Sequence, residues 1–289
     1  MNERTLRQVI PGQPTSDGAG VKLSRSLGSQ PGLRFDPFLM LDEFYTDEPS
    51  DYLAGFPAHP HRGFETVTYM LDGHMQHKDN FGHTGDLAPG DVQWMTAARG
   101  IIHSEMPQQT AGRMRGFQLW LNLPASEKMK PAGYRDIPSA KIPTAALDGG
   151  GRARVIAGSV TQSGVKTDGP VLGATTAPLY LDIDLAAGVS AAVSVPNGHN
   201  AFVYLYEGTA SIGTEARPLP LRGAGLLSDG DTLKLTAGAQ GARLLLIAGK
   251  PLREPVVQYG PFVMNTREEI EQALEDYRSG RFGHETEAA

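Results

Sequence analysis

The sequence predicts an all-β chain built as two tandem β-barrels with a short C-terminal α-helix. Three observations lead there. Short β-branched and aromatic runs recur along the 289 residues, separated by turns that draw on 35 Gly and 21 Pro. The length exceeds what one hydrophobic core usually serves, so two domains are expected. Two segments of the first half also reappear, altered, in the second.

Taken in order, the first clear strand is residues 65–71 (ETVTYML), ending at the hairpin dipeptide Asp72-Gly73. Turn signals at Gly85-Asp86 and Pro89-Gly90-Asp91 precede residues 92–96 (VQWMT), where the strand pattern resumes. Residues 115–123 (RGFQLWLNL) alternate and stop at Pro124. The more charged, proline-containing residues 125–143 read as the connection between domains, which places the division at 1–138 and 139–289. Residues 152–158 (RARVIAG), 179–185 (LYLDIDL), 201–206 (AFVYLY) and 243–247 (RLLLI) supply the strands of the second barrel. The helix comes last. Thr266 and Glu269 form a capping box, Ile270, Ala273, Leu274 and Tyr277 repeat at helical spacing, and Gly280 or Gly283 ends it. Its apolar face suits a lid on a sheet.

The internal repeat matches residues 67–73 (VTYMLDG) with 202–208 (FVYLYEG), and 90–97 (GDVQWMTA) with 230–237 (GDTLKLTA). Two copies of one β-barrel unit explain it.

The candidate site lies in the first copy. His59 and His61 are spaced i, i+2, and so are His103 and Glu105. Side chains at i and i+2 of a strand share a face. Two such pairs on facing strands aim three imidazoles and a carboxylate at one point, a donor set for one divalent transition metal. Fe(II), Cu, Ni, Co, Mn and Zn all fall within its range. Pro60 lacks a backbone donor, which puts this segment at a barrel edge or mouth. Projected through the repeat, the four positions become Ser194, Pro196, Arg243 and Leu245, which cannot rebuild the site. The second barrel is therefore expected to lack the metal. An open coordination position in the first would separate a catalytic site from a closed structural one.

The other conspicuous residues have plainer expectations. His74, His77 and His83 fall in a turn-rich stretch and are expected to be solvated. Phe56, Phe64, Trp94 and Met95 are expected in the core, where they could also wall a pocket for a flat aromatic substrate. Arg62 and Arg99 are expected in surface salt bridges.

Composition narrows the function classes. Lys+Arg 26 against Asp+Glu 32 gives 26 − 32 = −6, a mildly acidic balance that argues against direct nucleic-acid binding. With no cysteine there is neither a disulfide nor a thiolate ligand. Residues 1–10 (MNERTLRQVI) contain no apolar signal core and no stretch approaches membrane-spanning length. The expected location is the cytoplasm, with no membrane partner.

Several stretches carry a resemblance. Residues 35–44 (FDPFLMLDEF), 55–73 (GFPAHPHRGFETVTYMLDG), 83–107 (HTGDLAPGDVQWMTAARGIIHSEMP), 117–124 (FQLWLNLP) and 265–283 (NTREEIEQALEDYRSGRFG) resemble the pirin family, two-barrel (bicupin) members of the cupin superfamily. The resemblance implies a cupin-type N-terminal barrel that binds the metal, with iron the usual ion and His59, His61, His103 and Glu105 its ligands. It implies a quercetinase-type dioxygenase that cleaves a flavonol such as quercetin with O2 and releases carbon monoxide. The alternative implied is a non-catalytic regulatory pirin that binds a partner enzyme or transcription factor. General cupins take their carboxylate from the first motif, where Glu65 stands an even number of residues from His61. Glu65 is thus the rival ligand, or a neighbour that orients a histidine. Either Glu105 or Glu65 could receive the proton of the substrate's 3-hydroxyl.

Overall fold

The computed structural model describes residues 2–30 and 32–284. Its strands form two compact units, each a sandwich of twisted antiparallel sheets and not a closed barrel. The helix Arg267–Arg278 is the one α-helix among the described residues.

In the unit that holds the candidate site, a seven-stranded sheet runs in the order Gly133–Ile137, Val92–Thr96, Phe64–Asp72, Met114–Asn122, Phe38–Thr46, Val21–Arg25 and Gln13–Asp17. A four-stranded sheet, Phe56–His61, Ile101–Pro107, Met75–Asp79 and Thr84–Leu87, packs across it. Val21, Leu23, Phe44 and Met70 from the larger sheet meet Phe56, Met75 and Leu87 from the smaller one in a dry cluster. Phe56, Phe64, Trp94 and Met95 are all buried, as expected. The strand Phe56–His61 lies at the edge of its sheet, the position anticipated from Pro60.

Some sequence expectations give way to tertiary context. Asp72-Gly73 does not close a hairpin. Phe64–Asp72 pairs with Val92–Thr96 and Met114–Asn122, while Met75–Asp79 pairs with Ile101–Pro107 and Thr84–Leu87. The turn is a corner where the chain leaves one sheet for the other, and Gly73 takes it at φ +92°. Gly85 and Asp86 lie within the strand Thr84–Leu87. Residues 125–143 are also not a bare connection. Gly133–Ile137 adds an edge strand along Val92–Thr96, with Tyr134 opposite Met95 and Asp136 opposite Gln93.

The second unit carries a nine-stranded sheet and an aliphatic interior of Leu, Val, Ile and Ala, with residues such as Val193, Val203, Leu233 and Leu244 fully enclosed. Most of the repeat segment 230–237 and the strand expected at 243–247 belong to one strand, Thr232–Gly249, which pairs with Ser190–Ser194 early and Leu179–Leu185 late. Gly208, the repeat counterpart of Gly73, is likewise left-handed and sits where the ladder of Asn200–Ile212 shifts register.

The termini do not follow a single cut at 138/139. Residues 2–13 group with Ala140–Pro251, because Leu6–Pro11 extends that sheet against Gly223–Leu227. Residues 252–284, including the helix, group with the candidate-site unit. The terminal helix begins as expected. Thr266 Oγ1 accepts from the Glu269 amide and the Glu269 carboxylate accepts from the Thr266 amide. Its apolar face covers the ribbon Val257–Tyr259/Phe262–Met264 and reaches Ile102.

Buried contacts at Arg62, Gly63 and Lys128 tie this C-terminal segment to the chain just after the strand that carries His59 and His61. Arg62, expected at the surface, is only 3% exposed. Its Nη1 donates to Asp276 at 2.8 Å, its Nε donates to the Arg99 carbonyl at 2.6 Å, and its guanidinium lies 4.6 Å over the Phe282 ring. Gly63 follows at φ +92°, where an added Cβ would fall 1.9 Å from the Val263 carbonyl oxygen. Lys128 Nζ then donates to the carbonyls of Gly63 and Val263 and to Asn122 Oδ1.

Breaking the Arg62–Asp276 pair leaves one uncompensated buried charge. Asp276→Ala should therefore lower unfolding free energy by about 3–5 kcal/mol, and the double variant Arg62→Met/Asp276→Leu should recover much of the loss in urea titrations. Lys128 gives a pH signature. Burial lowers its pKa from 10.5 to about 8. Between those values the folded chain binds fewer protons than the unfolded chain, so this site's contribution to stability rises with pH from about 8 to about 10.5. The difference in unfolding free energy between the wild type and Lys128→Met should grow in favour of the wild type over that interval.

Candidate metal centre

The site begins with the pairing of two antiparallel strands. Phe56–His61 runs beside Ile101–Pro107, with Ile101 opposite His61 and His103 opposite His59. A register shift then places Glu105 opposite Phe56, a bulge beside the candidate site. On these strands the His61, His103 and Glu105 side chains are buried and His59 is half-buried. Ring centroids stand 4.7 Å apart for His59 and His61, 4.4 Å for His59 and His103, and 4.9 Å for His61 and His103.

One nitrogen from each of these three rings lies within 4.8 Å of the other two. The remaining contacts show how the rings are held. His59 Nδ1 lies 2.8 Å from the Pro57 carbonyl, which fixes a proton there and turns Nε2 to the cluster. His103 Nδ1 meets His77, while His103 Nε2 is buried without a hydrogen-bond partner among the described residues, as is His61 Nδ1. Buried imidazole nitrogens without partners are costly in a folded core. A shared metal ion would satisfy them. The residues present therefore fit a divalent transition metal held by imidazole.

The electrostatics point the same way. Burial drives the His61 pKa well below that of a free histidine, and the nearby His59 lowers it further, against a backbone carbonyl contribution from Pro261. Burial likewise lowers His103, reinforced by His61, His59 and His77. The lowered pKa favours the neutral imidazole at both positions, the form that binds metal. One wall is apolar. Phe64 and Trp120 meet the His61 ring edge-on, with centroids at 5.1 and 5.2 Å.

Glu105 is buried in the same unit, but its carboxylate is not among the group of mutually close ligand atoms. Its oxygens accept from Thr68 Oγ1 and Gln118 Nε2, each at 3.2 Å. Burial raises its pKa, while His59, Gln118 and Thr68 favour the anion. Glu65 is elsewhere. Gly63, at positive φ, interrupts the alternation between His61 and the next strand, so counting residues from His61 fails. Phe64 takes the histidine side, as its ring contact shows, and Glu65 takes the opposite face. There Thr96 Oγ1 donates to it at 2.7 Å, and burial raises its pKa.

Several neighbours were not legible as site residues. His77, expected in solvent, has no exposed surface and lies against His103. Its signal was the alternation of Met75, His77 and Asp79 after a turn, obscured by the polar run MQHKD. Gln118 and Thr68 face each other across Met114–Asn122 and Phe64–Asp72, which only the pairing reveals. His74 and His83 are partly exposed beside Asp86 and Asp136, closer to expectation.

The second unit has no such constellation among the described residues. Ser194 is exposed, Leu245 is buried, and Arg243 lies 3.9 Å from Asp182. His199 approaches the carbonyls of Ala177 and Asn197. A cavity of about 420 Å³ in this unit is lined by Asp148, Ser190, Thr214 and Lys234 and has no part in the histidine cluster.

Comparison with known proteins matches residues 20–121 to the Pirin family model and residues 180–283 to the Pirin C-terminal cupin domain. A Pseudomonas aeruginosa protein provisionally named a quercetin 2,3-dioxygenase is 55% identical over 279 residues, spanning 96% of this chain and 97% of its own. A pirin-like protein of Caulobacter vibrioides is 51% identical over 282 residues, spanning 98% of this chain and all of its own. Among solved structures, the crystal structure of quercetin 2,3-dioxygenase from Acinetobacter baumannii superposes with a TM-score of 0.88 at 34% identity, covering 97% of this chain and 99% of that one. With both family domains matched and near-complete relatives at this identity, the chain belongs to the pirin family.

Proposed function

We propose that this pirin is a metal-dependent dioxygenase of quercetinase type, acting on a flavonol-like aromatic enol. The metal would be a single Fe(II), held by His59, His61 and His103 with Glu105 as the carboxylate. The observation that carries the reading is the set of three converging imidazoles, two of them buried, with His61 Nδ1 and His103 Nε2 lacking a hydrogen-bond partner among the described residues. The A. baumannii enzyme named above supports the choice of substrate class.

When bound, the ion supplies a Lewis acid for an enolate oxygen and a centre for oxygen chemistry. The chain's own residues have separate tasks. Phe64 and Trp120 form an apolar flank beside His61 that suits a flat ring system. Half-buried His59, on the edge strand, marks the side from which a ligand arrives. Gln118 and Thr68 hold the Glu105 oxygens in place. Glu65, on the opposite face and bonded to Thr96, is left a structural role.

Metal content decides between the carboxylates. Glu105→Gln should lose bound metal, while Glu65→Gln should keep it; the reverse pattern overturns the ligand set. His103→Ala should abolish stoichiometric binding. For activity, quercetin added anaerobically to the iron-loaded protein should shift its visible band, and admitting oxygen should bleach it with carbon monoxide release. An absence of oxygen uptake with iron, copper, nickel, cobalt and manganese alike would defeat the enzymatic reading.

A further inference from the structure

A hydrogen-bonded chain leads outward from His103. His103 Nδ1 lies 3.2 Å from His77 Nδ1, and His77 Nε2 lies 2.7 Å from the Tyr134 hydroxyl. His77 sits mid-strand, opposite Glu105 on one side and Gly85 on the other, with no exposed surface. Tyr134 is half-buried on the edge strand Gly133–Ile137. The His83 ring stacks on the Tyr134 ring at 4.6 Å and 18°, and Asp136 holds His83 at 2.9 Å and Gln93 at 2.8 Å. The far end of the chain is thus braced by a second set of contacts.

The protons on this chain are not independent. A neutral imidazole has one donor nitrogen and one acceptor. If His103 turns Nε2 to a metal, its proton is on Nδ1, and His77 Nδ1 must accept it. The His77 proton then sits on Nε2 and donates to the Tyr134 oxygen. The opposite polarity would put an N–H of His103 into the metal cluster, where His103 Nε2 has no protein acceptor. One tautomer at His77 is therefore compatible with one ligand state at His103.

We propose that His77 is a positioning residue that fixes the metal-binding tautomer and ring orientation of His103, with Tyr134 as the group that fixes His77 in turn. The inference rests on the metal-site reading above. Partners of this kind contribute to affinity because the ligand nitrogen arrives pre-oriented and more basic.

Cobalt(II) titrated into the metal-free full-length protein, in competition with a chromophoric chelator, tests it. His77→Leu should weaken cobalt binding by about 10–100-fold and alter the visible ligand-field bands. His77→Gln, whose amide can accept from His103 and donate to Tyr134, should restore affinity to within about threefold of the wild type. Tyr134→Phe, a conservative change on an edge strand, should weaken binding in the same direction and covers the case in which His77→Leu does not fold. In zinc-loaded wild type, 15N shifts should place the His103 proton on Nδ1. Unchanged cobalt affinity and spectrum in both His77→Leu and Tyr134→Phe would overturn the proposal, as would a His103 proton on Nε2. A wild type that binds no cobalt or zinc would instead remove the metal-site reading, and this inference with it.

Discussion

The antiparallel pairing of Phe56–His61 with Ile101–Pro107 is the constraint on which the rest of this structure depends. It sets His59 against His103, and the register shift beyond that pair brings Phe56, not Pro57, opposite Glu105. Imidazole rings with centroids under 5 Å apart, two of them buried, are an unfavourable arrangement unless something satisfies their nitrogens. The surrounding sandwich holds them there all the same. The seven-stranded sheet supplies Thr68, Gln118, Phe64 and Trp120 from one side, and Met75–Asp79 supplies His77 from the other.

The C-terminal segment keeps that strand in place. Directly after His61, Arg62, Gly63 and the Lys128 ammonium meet Asp276, Val263 and their neighbours through buried contacts. A charged pair of this kind adds little net stability compared with apolar packing, while loss of either partner leaves a buried charge uncompensated. The same segment decides the fate of Glu65. With Gly63 turned by its positive φ and closed over by Val263, alternation restarts at Phe64, and the neighbouring carboxylate goes to the far face.

The two units show one sandwich put to different uses. In the first, the interior carries polar rows around the histidines. In the second, the corresponding space is filled by aliphatic side chains, and the repeat positions hold Ser194, Pro196, Arg243 and Leu245.

The sequence by itself determined the all-β class, the doubled architecture, the capped terminal helix and the three histidines. Each of these is a short-range pattern: strand alternation, a repeat, a capping box, an i, i+2 spacing. Parity is reliable only within an unbroken strand, so it was right for His59 and His61 and misled at Glu65 beyond Gly63. Only the tertiary structure decided that Arg62 is buried, because its partner Asp276 is 214 residues away. Only it placed His77 against His103 and Tyr134, since a polar strand such as MQHKD gives no sign of which face is enclosed until a second sheet covers it. It also decided where the terminal segments belong, because buried contacts between distant residues leave no local mark in the chain.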